Sequence, residues 1–217
     1  SRLWRKSMPE YSNAPPPLAF DIDVDGQLEI IQVSLRGEVS AIDPDNDGAV
    51  IWSTHLGDHQ LLSPVAGHFL GNNRISVLIF TADNQCFVLD GPTGRPITER
   101  PFFINFPITL PPSVFNWTGG DQSPPEAYRE GVLLYNSETE RVHAYLVHLT
   151  SMQELLSFNT RGPLNAPPAI GRTGLDAPPP HAVFVTTDGY LTVLPLSTQR
   201  EAVSYRLSNQ ARTERGV

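Results

Sequence analysis

The 217-residue chain has few of the features that indicate a disulfide-stabilised, membrane-spanning or nucleic-acid-binding protein. Its single cysteine, Cys86, excludes a disulfide within the chain and is expected to be a small buried side chain of a strand. No stretch approaches the roughly 20 consecutive apolar residues that a membrane-spanning helix needs. The net charge is −8 with scattered Lys and Arg residues, so no basic stripe is present to neutralise phosphates. The sequence therefore predicts no transmembrane segment in this chain and no nucleic-acid partner.

Proline and glycine, in contrast, are abundant. The 21 prolines and 16 glycines interrupt the chain too often for long helices and suit short strands joined by turns. Residues 75–80, Ile-Ser-Val-Leu-Ile-Phe, form a nearly continuous apolar run. Such runs are typical of strands that are covered on both faces. The composition therefore predicts an all-β chain.

One pattern occurs four times along the chain. Each copy has a proline-marked start, a turn, an apolar strand, a second turn, a strand with small and β-branched residues, and a final strand. Pro16, Pro64, Pro112 and Pro168 mark the starts, at intervals of roughly 50 residues. This period suits a four-stranded meander, the unit of a β-propeller blade. We therefore predict blades at residues 13–61, 62–109, 110–163 and 164–208, the third with an insertion, and a tail at 209–217.

The first residues resemble the end of a blade. Trp4 precedes Pro16 by the same interval that separates Trp52 from Pro64, so residues 1–12 are predicted to form the outer strand of a preceding or closing blade. This strand either completes the fourth blade or belongs to a larger, eight-bladed ring. A strand predicted at residues 202–207 gives the fourth blade its own last strand and favours the larger ring.

Two segments resemble known propeller repeats. Gly37-Glu38-Val39-Ser40-Ala41-Ile42-Asp43, followed by Trp52, resembles the repeat of PQQ-like propellers, and residues 84–94 are similar to a second instance. Residues 21–30 are similar to the calcium loop of FG-GAP, integrin-type, propeller repeats. The resemblance implies an all-β propeller of about four four-stranded blades, alone or as part of an eight-bladed ring.

Residues 21–29 also carry a metal-ligand pattern. Asp21, Asp23, Asp25 and Glu29 stand at alternating positions of the loop, and the Gln27 carbonyl fills the remaining one. Calcium takes six to eight oxygen ligands, and a glycine such as Gly26 permits the turn that converges them. We predict a structural calcium ion here; the alternative is an acidic exposed turn without metal. The similar run at residues 43–48 is interpreted as a plain turn.

The PQQ-like resemblance offers an enzymatic alternative, a quinoprotein oxidoreductase or a fragment of one. Such enzymes need a complete propeller and a cap over the quinone, such as a vicinal disulfide. With one cysteine and four blades the chain departs from that pattern, so we predict no catalytic residue and no quinone cofactor. The six histidines are interpreted as solvated loop residues; they are His55, His59, His68, His143, His148 and His181.

Two insertions are candidates for partner binding. Residues 111–131 include Trp117 and Tyr128, and a second insertion spans residues 171–180. Partners often dock on loops that project aromatic side chains from a rigid scaffold; the alternative is a solvated loop without a partner. We expect a non-enzymatic, extracytoplasmic scaffold, whether periplasmic, secreted or lumenal. It would bind a protein partner or a further propeller segment, including one in a membrane-associated complex. A calcium-dependent adhesion module is a further alternative.

Overall fold

The computed structural model describes residues 14–70, 74–117, 129–171, 180–196 and 201–207. The predicted strand at residues 1–12, Tyr128 and the tail at 209–217 lie outside these ranges. The described residues form sixteen strands in four antiparallel sheets of four strands each. No helix in these ranges is long and apolar enough to span a bilayer.

Each sheet is a meander whose strands follow chain order, and we number the sheets as blades 1 to 4. Blade 1 contains β1 (Leu18–Phe20), β2 (Glu29–Val33), β3 (Glu38–Asp43) and β4 (Ala49–His55). Blade 2 contains β5 (Val65–Gly67), β6 (Ser76–Phe80), β7 (Gln85–Asp90) and β8 (Phe102–Phe103). Blade 3 contains β9 (Ser113–Trp117), β10 (Arg129–Asn136), β11 (Arg141–Val147) and β12 (Met152–Asn159). Blade 4 contains β13 (Ala169–Gly171), β14 (His181–Val185), β15 (Tyr190–Pro195) and β16 (Val203–Arg206).

Strand β6 shows why the apolar runs are continuous. Successive side chains of a strand point to opposite faces of the sheet. Val77 and Ile79 belong to the hydrophobic cluster shared with blade 1, whereas Leu78 and Phe80 belong to the cluster shared with blade 3. All five residues of the strand are buried, because a neighbouring blade covers each face.

Three hydrophobic clusters join the blades in sequence. They lie between blades 1 and 2, blades 2 and 3, and blades 3 and 4. The first strands of the blades stand side by side, with β1 beside β5, β5 beside β9, and β9 beside β13. Four-stranded meanders that stack face to face around their first strands form a β-propeller. The all-β propeller predicted from the sequence is therefore confirmed.

The fourth blade has an outer strand from its own segment. Strand β16 pairs with β15, with Val203 opposite Val193 and Tyr205 opposite Leu191. A strand is thus present within the predicted segment 202–207, and β16 takes the fourth position in this sheet.

The interpretation of the histidines as solvated loop residues was wrong for three of them. His55 is exposed but ends strand β4, and His143 and His181 are strand residues that are largely covered. His143 lies in β11 and stacks on Phe106, with 4.5 Å between ring centroids. His181 begins β14 and is 8% exposed. Both stand at strand positions covered by other parts of the propeller, where an imidazole fills space as an aromatic or apolar ring would. Cys86, by contrast, is buried as predicted.

Candidate functional site

Two candidate sites lie at one end of the propeller. Neighbouring strands of a blade run in opposite directions. The connection between the first and second strands therefore lies at the same end of the blade as the connection between the third and fourth strands. This end carries the acidic loop of blade 1, residues 21–28, and the turn after β7 of blade 2. The two meet at Gly91, where a Cβ would stand 2.7 Å from the carbonyl oxygen of Ile22. Only glycine fits this contact, which holds the acidic loop against blade 2.

Asp21 organises the acidic loop. Its Oδ1 accepts hydrogen bonds from the backbone N–H groups of Val24 at 2.7 Å and Asp25 at 3.1 Å. Its Oδ2 accepts one from Gly26 at 3.0 Å. Val24 and Gly26 have φ angles of 67° and 90°, in the left-handed region that a β-branched residue such as valine rarely adopts. The Asp21 carboxylate therefore holds the loop in a tight turn.

The turn brings three of the predicted ligands together. Carboxylate oxygens of Asp21, Asp23 and Glu29 lie within 4.8 Å of one another. Glu29 begins β2, is 5% exposed, and accepts a hydrogen bond from the Ile22 N–H at 2.9 Å. The Asp25 carboxylate is not part of this group. It accepts hydrogen bonds from the backbone N–H of Gln27 at 2.8 Å and from its side-chain amide at 3.1 Å.

The electrostatics of this loop disfavour an ionised Glu29 in the absence of a cation. Burial raises the pKa of the Glu29 carboxyl, and the nearby charges of Asp23, Asp25 and Asp21 act in the same direction. The hydrogen bond from Ile22 opposes them. A divalent cation would reverse the balance, because an opposite charge favours the ionised form. The donor set is all oxygen, which fits a hard cation such as calcium.

The second candidate site is a cleft between blades 2 and 3. Its volume is about 320 Å³, and its apolar walls include Leu70, Pro96, Ile97 and Leu149. Its polar wall includes Arg74, Asp90, Thr93 and Arg95. We call this the arginine cleft.

The polar wall of the arginine cleft is held by Asp90. Its side chain is 10% exposed, and its carboxylate accepts hydrogen bonds from Arg74 Nη2 at 2.6 Å and Thr93 Oγ1 at 2.5 Å. Arg95 is exposed at the rim, and Leu149 is 60% exposed. The lining residues come from three separate connections of two blades, so no local pattern in the sequence indicates the cleft.

The aromatic residues proposed for partner binding are only partly within the described ranges. Trp117 ends β9 and packs against the cluster between blades 3 and 4, so part of its ring serves the core. Tyr128 lies outside the described residues. The binding role of these two residues stays a prediction.

Solved structures with a similar fold include BBS1N in complex with ARL6DN. In the mercury-soaked crystal the TM-score is 0.60 at 14% identity, covering 85% of this chain and 48% of that one. In the lead-soaked crystal it is 0.58 at 9% identity, covering 83% and 50%. BamB from Moraxella catarrhalis has 17% identity and a TM-score of 0.48, with coverage of 85% and 48%.

The chain thus spans about half the length of these solved structures. No family model and no curated protein matches it. At the identities found, the likeness to BBS1N is one of fold. Together with the stacking of the four sheets, it places the chain in the class of β-propellers.

Proposed function

We propose that this chain is a non-enzymatic propeller scaffold that binds a protein partner through the arginine cleft. The observation that carries the proposal is the make-up of the cleft, whose lining combines the aliphatic side chains of Ile97 and the exposed Leu149 with an exposed guanidinium, that of Arg95. Aliphatic walls accept an apolar side chain of a partner, and guanidinium groups bind carboxylates in fixed geometry. The chemistry fits a peptide segment with an apolar residue next to an acidic one.

Two further observations support this role. Three buried clusters hold the blades as a rigid frame, and rigid frames position connecting loops for recognition. BBS1N, which shares the fold, was solved in complex with another protein, ARL6DN.

The resemblance to PQQ-like and FG-GAP-like repeats supports an extracytoplasmic location, which fractionation of cells carrying an epitope-tagged chain would test.

A structural calcium ion in the acidic loop is part of the same proposal. It is supported by the convergence of Asp21, Asp23 and Glu29 and by the raised pKa of the Glu29 carboxyl. The ion would stiffen the contact between blades 1 and 2, because the loop rests on Gly91. This role is structural, and the same stiffening would serve an adhesion module.

The test of partner binding uses tagged chain and extract of the native source, with quantitative mass spectrometry of captured proteins. Leu149→Asp and Arg95→Glu should each reduce recovery of a specific partner by about tenfold or more, as loss of a central contact does. Phe103→Asp is the matched control, because Phe103 is 74% exposed on the outer strand β8, away from the cleft. Equal recovery with all variants would reject the cleft, and absence of any specific partner would reject the scaffold role.

A further inference from the structure

The hydroxyl of Ser76 lies in the wall of the arginine cleft without a hydrogen-bond partner. Ser76 begins β6, lines the cleft and is 0% exposed. Its Oγ makes no hydrogen bond to the described residues. Buried polar atoms of a folded protein are nearly always paired, since an unpaired hydroxyl loses its water without compensation. An unpaired buried hydroxyl in the wall of a cleft therefore indicates a ligand group that bonds to it.

The neighbour of Ser76 across the sheet is Asp90. The two residues stand directly opposite each other on β6 and β7, so their side chains share one face. The Asp90 carboxylate already accepts hydrogen bonds from Arg74 on one oxygen and from Thr93 on the other. Its charge is thus balanced by the Arg74 guanidinium, and the O–H of Ser76 is left to donate elsewhere.

A second carboxylate, that of Glu130, lies on the other side of Ser76. Gly67 pairs with Ser76 from β5, and a Cβ at Gly67 would meet Oε2 of Glu130. This oxygen accepts a hydrogen bond from the backbone N–H of His68. Glu130 is not among the residues that line the cleft. Among the described residues, a ligand in the cleft therefore meets Asp90 as its one carboxylate.

The cleft carries an excess of positive charge. Its lining contains two guanidinium groups, those of Arg74 and Arg95, and one carboxylate, that of Asp90. Within the part of the chain that the structure describes, Arg95 forms no ion pair. The Ser76 hydroxyl and the Arg95 guanidinium can both donate hydrogen bonds. A ligand that satisfies both carries an anionic acceptor, and guanidinium groups pair in fixed geometry with carboxylates and phosphates.

The size and the apolar walls of the cleft decide what carries that anionic group. Its volume of about 320 Å³ is at the low end for ligand sites, where about 300–1,000 Å³ is usual. Ile97 stands two positions from Arg95, and Leu149 adds a further aliphatic wall, which inorganic phosphate would leave without a contact. An internal acidic residue would bring the backbone of its apolar neighbour into this small volume as well. The last residue of a chain instead carries its carboxylate and its side chain on one Cα.

We infer that the arginine cleft binds an aliphatic carboxylate, which Ser76 and Arg95 hold and which the partner presents as its C-terminal residue. The inference rests on the proposed function, since it names the part of the partner that enters the cleft. Capture of a C-terminal carboxylate is a recurrent mode of peptide recognition. The carboxylate accepts from the Ser76 hydroxyl and the Arg95 guanidinium, and the aliphatic side chain packs against Ile97 and Leu149.

Saturation-transfer NMR on the full chain with small probes tests this assignment. N-acetyl-L-leucine supplies the carboxylate and the aliphatic side chain, and N-acetyl-L-leucinamide removes only the charge. We expect the acid to bind about tenfold more tightly than the amide, because charge-assisted hydrogen bonds are lost. Inorganic phosphate and N-acetylglycine lack the aliphatic side chain and should also bind about tenfold more weakly than the acid. Equal binding of the acid and any of these three probes would overturn the inference, as would no binding of the acid at about 10 mM.

Ser76→Ala separates a binding role from a structural one. It should weaken the binding of N-acetyl-L-leucine by about tenfold. The urea midpoint should be at least as high as that of the wild type, because the removed hydroxyl has no partner among the described residues. Ser53→Ala, which removes a hydroxyl at an exposed position of β4, is the matched control and should leave binding unchanged. Unchanged binding by Ser76→Ala would overturn the assignment of Ser76.

The partner itself separates this inference from the proposed function. If its capture depends on Leu149 and Arg95 but survives deletion of its own last residue, the inference is overturned and the scaffold role stands. Binding of N-acetyl-L-leucine without capture of any partner would support the carboxylate site and reject the scaffold role.

Discussion

The indole N–H of Trp52 in blade 1 donates a hydrogen bond of 2.9 Å to the carbonyl oxygen of Gly91 in blade 2. Its ring lies over Gly94, where a Cβ would stand 2.3 Å from a ring carbon. The Thr54 hydroxyl donates to the Gly94 carbonyl oxygen at 2.7 Å. The outer strand of blade 1 is thus fixed to the turn that follows β7, next to the acidic loop.

Replacing Gly94 by alanine tests this contact. The added methyl group overlaps the Trp52 ring, and the φ of 66° at Gly94 disfavours any side chain. We expect the free energy of unfolding to fall by about 1–3 kcal/mol, as for overpacked sites. Urea denaturation monitored by tryptophan fluorescence measures it.

The matched control is Gly171→Ala. Gly171 has no atom within 4 Å of an added Cβ, so the methyl group meets open space. Its substitution should leave the urea midpoint nearly unchanged. If both variants lost equal stability, the effect would come from strand conformation in general and not from the Trp52 contact.

The sequence predicted the parts of the fold that are encoded locally. Apolar runs and turn residues repeat along the chain, so the strands and their meander order follow from neighbours in sequence. The Trp52–Gly91 contact joins residues 39 positions apart, and the resemblance to PQQ-like repeats marked Trp52 without giving its partner. The arginine cleft needs three connections of two blades, which no pattern in one segment shows.

The acidic loop shows that prediction of ligands from sequence spacing is limited even within a single segment. Spacing alone placed five ligands around one ion, but backbone N–H groups compete for carboxylates in tight turns. Asp25 turns to Gln27, whereas Asp21, Asp23 and Glu29 converge. The run at residues 43–48 was predicted as a plain turn, and Asp43 indeed caps it by accepting from Asp45 and Asn46.

Calcium should raise the melting temperature of the wild-type chain, and a chelator should reverse the change. A ligand bound only by the folded state at 100 times its Kd stabilises by about 2.7 kcal/mol, or roughly 5–10 °C for a chain of this size. Glu29→Gln keeps an acceptor for the Ile22 N–H and removes the charge, so it should abolish the calcium response. Differential scanning calorimetry provides the measurement.

Without calcium the same variant should be at least as stable as the wild type at pH 7. The pKa of Glu29 is raised in the folded state, so the folded chain binds this proton more readily than the unfolded chain. The resulting stabilisation of the fold is fully present at low pH and is lost as the pH rises through the folded pKa. Asp45→Asn, in the plain turn, is the control and should keep the calcium response. A calcium response that survives Glu29→Gln would contradict the assignment of Glu29 as a ligand.

Cys86 should be unreactive in the folded protein. Its side chain is fully buried between blades 2 and 3, and burial raises the pKa of the thiol, which suppresses the nucleophilic thiolate. We expect labelling by an aromatic disulfide reagent to be at least about 100-fold slower than in 8 M urea, because it requires opening of the blades. Val203→Cys supplies an exposed thiol for comparison, and equally fast labelling of both thiols would be inconsistent with the packing.

The stability of the chain should decrease as the pH falls from 7 to 5, and His143 should account for part of the decrease. The ring is stacked on Phe106, and neither ring nitrogen makes a hydrogen bond to the described residues. Burial lowers the pKa of His143, with a partial opposing effect from Glu154, whose carboxylate is 3.5 Å from Nδ1. Between the folded and unfolded pKa values the unfolded chain binds the proton more readily, so acidification favours unfolding. One proton limits the slope of the free energy of unfolding against pH to about 1.4 kcal/mol per pH unit.

His143→Gln should flatten the dependence of the urea midpoint on pH, whereas His55→Gln, at an exposed position beside Glu38, should leave it closer to that of the wild type. Parallel curves for wild type and His143→Gln would mean that His143 takes up its proton equally well in both states.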